Sequence, residues 1–151
     1  MFKRARPRLT LGTHRNALDD GVEESLTSNG LRTHRSNAIA KTSTPPDIVD
    51  ITDHVLDAAR ASGLKDGLVT VVATEGGCAL VVNERESGLL QDMKSAIDRA
   101  SNGNGEVSFG VSSAVLPLVN GELKLGSWQR IMLVELEEPT ARSVVVQVVG
   151  E

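Results

Sequence analysis

The sequence predicts an α+β domain, a mostly antiparallel layered sheet or sandwich with two helices set apart from the strands. Three observations carry this. The closing third, Val115 to Gly150, is a series of apolar runs rich in β-branched valine, the composition of strands. Within it, Asn120-Gly121 separates two such runs, the strongest short-range hairpin signal. Upstream, Leu89, Leu90, Met93, Ala96, Ile97 and Ala100 recur at helical spacing and form one apolar stripe.

In order, residues 1–30 lack an apolar period and read as a flexible extension, leaving 31–151 as the single domain. Thr13-His14-Arg15-Asn16 is echoed by Thr33-His34-Arg35-Ser36, a repeat too short to carry function, so both histidines read as solvated. Leu31 to Lys41 alternates loosely as a first strand, and Thr44-Pro45-Pro46 ends it. Ile48 to Ile51 is a short second strand. A helix follows, with Thr52 as the expected N-cap, Asp53 in its first turn and Gly63 as its stop. Ile51 and Leu56 can staple its start, and His54 reads as a surface residue.

Leu68 to Thr74 and Cys78 to Asn83 read as two strands of a hairpin around Glu75-Gly76-Gly77. Cys78 is expected to pack as a small apolar residue. Ser87 or Gly88 opens the striped helix, which Asn102-Gly103-Asn104-Gly105 closes. Val107 to Leu118 leads into the Asn120-Gly121 hairpin, and strands over Trp128–Leu136 and Ser143–Val149 complete a closing meander. The last runs are too apolar for a half-solvated sheet, so they are expected to be covered on both faces. With no further helix available, one sheet face is expected to meet another protomer.

Composition narrows the function. The 151 residues carry a formal charge of −4 and only two Phe, one Trp and no Tyr, which argues against a nucleic-acid surface. No run is long and apolar enough for a membrane helix. One cysteine, Cys78, excludes an internal disulfide and fits a reducing compartment, so the cytoplasm is the expected location. Phosphate-binding loops, dinucleotide fingerprints and zinc-type Cys/His pairs are missing. The last histidine is His54, which disfavours Ser-His-Asp chemistry. What remains is a polar set at predicted strand ends: Glu75, Asn83, Glu84, Asp92, Ser127, Gln129 and Arg130. It could bind a hard cation or orient a polar ligand, and composition alone reads it as solvated strand ends.

Several segments resemble the YjbQ family, also described as secondary thiamine-phosphate synthase. They are Asp50-Ile51-Thr52-Asp53, Ser62 to Leu68, Asn83-Glu84, Asn120-Gly121 through Leu125-Gly126-Ser127-Trp128-Gln129-Arg130-Ile131, and Val144 to Glu151. The resemblance spans Leu31 to Glu151. It implies a homotrimer with sites at subunit boundaries and, in some members, weak joining of a pyrimidine diphosphate to a thiazole phosphate. The family's His-Thr-Thr or His-Thr-Ser falls on Glu75-Gly76-Gly77, so its imidazole is absent. Asn-Glu is kept at Asn83-Glu84, while the family's following Asp-Pro is replaced by Ser87-Gly88. An acid matches at Asp92. A further histidine-bearing segment is shortened to Asn102–Glu106, and Gly-Thr-Trp-Gln survives as Gly126-Ser127-Trp128-Gln129.

The resemblance therefore implies Glu75, Glu84 and Asp92 as catalytic carboxylates that also hold a divalent cation such as magnesium. It implies Asn83, Ser127, Trp128 and Gln129 as binders of a small phosphorylated ligand. An oxygen-only set would favour magnesium, manganese or calcium over zinc. The first expectation is a divergent synthase-like transferase. The alternative is a non-catalytic trimer that binds ligand or assembles with partners and has lost the chemistry with the histidines.

Overall fold

The computed structural model describes residues 30–101 and 109–151; all but the last residue of the expected extension over 1–30, and the Asn102–Glu106 segment, lie outside them. The elements are β1 (Arg32–Lys41), β2 (Asp47–Asp50), α1 (Thr52–Ser62), β3 (Gly67–Ala73), β4 (Cys78–Glu84), α2 (Ser87–Ser101), β5 (Ser113–Val119), β6 (Glu122–Leu123), β7 (Gln129–Glu135) and β8 (Ala141–Gly150). They form a five-stranded sheet ordered β1-β8-β3-β5-β6 and a three-stranded sheet ordered β2-β7-β4, with antiparallel pairing in both. This is the expected α+β layering.

Most strands stand where their apolar runs predict them, but among the described residues of the run expected from Val107 the strand begins only at Ser113, and two connections differ. β3 and β4 are not a hairpin, because β3 joins the large sheet and β4 the small one. The closing third is likewise not one meander. β5 and β6 form the Asn120-Gly121 hairpin, with φ of 54° and 78° at those residues. β7 then crosses to the small sheet and β8 returns to the large one. The crossings let the chain build two facing layers, and the core forms between them. Val69, Val71, Val144, Val146 and Val148 of the large sheet meet Leu80, Ile131 and Leu133 of the small one, with Val55, Ala58 and Ala59 of α1 alongside. Each fully buried Val, Leu or Ile contributes about 1.5–3 kcal/mol, enough for this cluster to dominate the fold.

Helix α1 starts one residue differently from expectation. Ile51 occupies the N-cap position and offers no side-chain cap. Asp50 supplies it instead, its Oδ1 accepting the Thr52 N–H at 2.9 Å. The Thr52 hydroxyl is turned away to accept the Ile131 N–H at 2.8 Å, which ties helix to β7. Gly63 ends the helix in the left-handed region, as predicted.

In α2 only Met93 and Ile97 of the apolar stripe are buried, while Ala96 and Ala100 are exposed. The helix is thus a partial cover. Met93 and Ile97 are buried outside the main core cluster, as are Met132 and Val134 of β7, and Lys94 reaches Asp47 of β2 at 3.8 Å.

The β7 strand is therefore covered on both faces, as its composition predicts, but β8 is not. Val144, Val146 and Val148 point into the core, and Val145, Gln147 and Val149 lie on the half-open outer face. That face also presents Ile39, Leu68 and Val115, each more than half exposed. Among the described residues no helix is long and apolar enough to cross a membrane.

Candidate functional site

At one end of the small sheet three strand termini meet. The register pairs Asn83 with Arg130 and Glu84 with Gln129, while β2 brings Asp50 opposite Met132. Arg130 is held between two acids: its Nε donates to Asp50 Oδ2 at 2.7 Å and its Nη2 to Asp53 Oδ1 at 3.3 Å. Asp50 is itself largely enclosed. Burial works to raise its pKa, but the hydrogen bonds from Arg130 and Thr52 outweigh burial and hold it below the usual carboxylate range. Arg85 stands farther off, its Nε 3.9 Å from Asp50 Oδ2.

Beside this clamp lies a cleft of about 370 Å³ lined by Glu84, Arg85, Glu86 and Trp128. The Trp128 side chain is 78% exposed. A large aromatic surface left open at a cleft rim offers a stacking face for a planar or cationic ligand. The turn that carries it is built by its own neighbours. Gln129 Oε1 accepts the Gly126 N–H at 2.8 Å, and Gly126 O accepts the Gln129 N–H at 2.9 Å. Glu86 is occupied as well, its two oxygens accepting the Gly88 and Leu89 N–H groups at the start of α2 at 2.9 and 2.8 Å.

The sequence-predicted site divides. Asn83, Glu84, Trp128, Gln129 and Ser127 stand at this end. Two of the expected ligand binders are partly committed to backbone, since Asn83 Oδ1 accepts the Glu84 N–H at 2.8 Å and Gln129 caps its own turn. Glu75 is elsewhere. It precedes β4 while Glu84 ends it, and a strand of that length runs roughly 20 Å. Glu75 Oε1 instead accepts the Ser143 N–H at 3.0 Å, and Oε2 lies 3.5 Å from Arg142 Nη1. Asp92 is exposed on the second turn of α2. The expected carboxylate trio is therefore not assembled, and among the described residues no three His, Cys, Asp or Glu side chains are placed to hold a metal ion.

These segments have counterparts in known proteins. A family model described as UPF0047 protein YjbQ-like matches residues 37–151. The chain belongs to the YjbQ-like UPF0047 family. A UPF0047 protein of Methanothermobacter thermautotrophicus is 32% identical over 126 residues, covering 74% of this chain and 88% of that protein. One from Archaeoglobus fulgidus is 34% identical over 122 residues, covering 71% and 94%. Among solved structures, a YbjQ-like protein of unknown function from Sulfolobus solfataricus superposes with a TM-score of 0.74 at 27% identity, over 80% of this chain and 99% of that one. A structural-genomics target from C. acetobutylicum gives 0.69 at 30% identity, over 76% and 98%.

The YjbQ-like segments Asp50–Asp53, Asn83-Glu84 and Gly126–Arg130, distant in sequence, converge on the cleft end. Of this group, the Asp50–Arg130–Asp53 clamp was missed as a unit, although its residues lie in the very segments that carry the resemblance. A second missed feature is the sealed pair Glu135 and Arg142 at the opposite end. Its signal is a lone Glu closing the apolar run Ile131 to Val134, with an Arg opening the next.

Proposed function

We propose that this YjbQ-like protein is a divergent secondary thiamine-phosphate synthase-like protein whose Trp128 cleft binds a small phosphorylated ligand, with weak transferase turnover. The carrying observation is the exposed Trp128 beside Glu84 and Arg85 in one cleft. The indole face stacks a heteroaromatic ring, Glu84 accepts from ring or amino N–H donors, and Arg85 supplies positive charge. Joining a pyrimidine diphosphate to a thiazole phosphate expels diphosphate. A magnesium ion would enter with that substrate, since among the described residues no three His, Cys, Asp or Glu side chains form a cage for it.

Turnover is weak because the cleft lining holds no imidazole, and imidazole is the side chain suited to proton transfer near neutral pH. The same observation favours a second reading, a ligand-binding or assembly protein without chemistry. Trp128 is the single tryptophan, so its fluorescence reports the cleft directly. Titration with thiamine phosphate, the pyrimidine diphosphate and the thiazole phosphate should quench it, and magnesium-supported product formation separates the two readings. No quenching by any of the three, with no product, removes both.

The assembly we propose is a homotrimer, with the outer face of the large sheet as the contact. Ile39, Leu68 and Val115 are exposed there beside half-buried Val72, Val145 and Val149. An apolar face of this kind is the usual mark of a subunit contact.

A further inference from the structure

We propose that the two arginines of the cleft end do different work: Arg85 meets an anionic group of the ligand, and Arg130 is a positioning residue that holds the Trp128 turn. This rests on the reading of the Trp128 cleft as a ligand site. Arg130 is committed, with Asp50 at 2.7 Å and Asp53 at 3.3 Å, and it sits two residues after Trp128 on β7. Its guanidinium ties that strand to the end of β2 and the first turn of α1. Arg85 lines the cleft with its side chain 62% exposed, and its contact to Asp50 is a loose 3.9 Å to an oxygen that Arg130 already holds.

The acids of this end support the same division. Asp50 and Asp53 face Arg130, and both oxygens of Glu86 are taken by the first N–H groups of α2. Glu84 is left as the lining carboxylate for hydrogen-bond donors. Arg85 is thus the lining cation with free N–H donors, and a planar guanidinium suits a phosphoryl or carboxylate group.

Two measurements on the full chain test this. In the first, Trp128 fluorescence is quenched with iodide and with neutral acrylamide at constant ionic strength. Arg85→Ala should lower the iodide-to-acrylamide ratio about twofold, the scale of one nearby charge in salt water, while Arg130→Lys should change acrylamide quenching instead. In the second, thiamine phosphate and thiamine are the probes. Arg85→Ala should weaken thiamine phosphate about tenfold and leave thiamine unchanged, the scale of a charged hydrogen bond. Arg130→Lys should weaken both alike, and Asp53→Asn, at a position 83% exposed, repeats that test away from the core. An unchanged iodide ratio, or equal weakening of both probes by Arg85→Ala, overturns the assignment. If neither probe binds the wild type but the iodide contrast holds, the thiamine-type reading falls and the anion role of Arg85 stands.

Discussion

Glu135 and Arg142 form a bidentate ion pair sealed inside the protein, Nε to Oε2 at 2.7 Å and Nη2 to Oε1 at 2.7 Å. Glu135 is fully buried and Arg142 nearly so. The pair is a junction for three connections. Glu135 also accepts the Leu136, Glu137 and Glu138 N–H groups and the Thr42 hydroxyl, and Arg142 Nη1 donates to Gly76 O at 3.0 Å. Arg142→Met should cost about 3–5 kcal/mol, because it strands a buried carboxylate. Adding Glu135→Leu should not restore stability, since the backbone donors of Glu137 and Glu138 then lose their acceptor. Urea unfolding of the single and double variants checks both outcomes.

The same carboxylate sets the acid limit of the fold. Burial works to raise the Glu135 pKa, but Arg142, the backbone donors and Thr42 overcome it and hold it at about 2, against an ordinary 4.5. A depressed folded pKa gives stability that is complete above the unfolded value and lost as pH falls through the folded one. Stability should therefore decline between about pH 5 and pH 2, by about 3 kcal/mol from this group alone. Asp47 and Asp50, also held low, add to the loss in the same direction. Unfolding midpoints measured across that window should fall steadily, and the slope should flatten in Glu135→Gln.

The elements were legible because their signals are local. Valine-rich runs, the Asn120-Gly121 turn and the stripe around Met93 and Ile97 need only neighbouring residues to be read. The partition into two sheets was not legible. Glu75-Gly76-Gly77 looks like a hairpin turn, yet Gly77, at φ 75°, lies against the Glu137 carboxylate and the Arg142 guanidinium, contacts that come from far along the chain. Of the site, the strand-end residues Asn83, Glu84 and Trp128 were readable from motif. Grouping Glu75 with Glu84 failed on a point the sequence already contained, because the strand between them carries the two carboxylates to opposite ends.

That separation makes a prediction of its own. Glu75→Gln should leave ligand affinity at the Trp128 cleft within about twofold, whereas Glu84→Gln, which removes a charged acceptor from the lining, should weaken it about tenfold. Glu75→His should likewise leave turnover no higher than that of the wild type, since the imidazole would stand beside Ser143 and Arg142 rather than at the cleft. Trp128 fluorescence titration and a product assay read these results. Equal losses from the two Gln variants would return Glu75 to the ligand site.

The outer face of the large sheet carries the last prediction. Leu68 and Val115 are 51% and 57% exposed and sit on adjacent strands, Leu68 opposite Pro117 and Val115 opposite Thr70. Burying the exposed half of two such side chains against a partner is worth about 1 kcal/mol each, and a charge forced into that contact costs more. Leu68→Asp with Val115→Glu should therefore convert a trimer to a monomer in light scattering. Neither side chain belongs to the core cluster, so the secondary structure should persist. The wild-type melting temperature should rise with protein concentration, as mass action requires of a folded assembly, and that of the double variant should not. A wild type that is monomeric at every concentration would remove the interface and leave the apolar face without a cover.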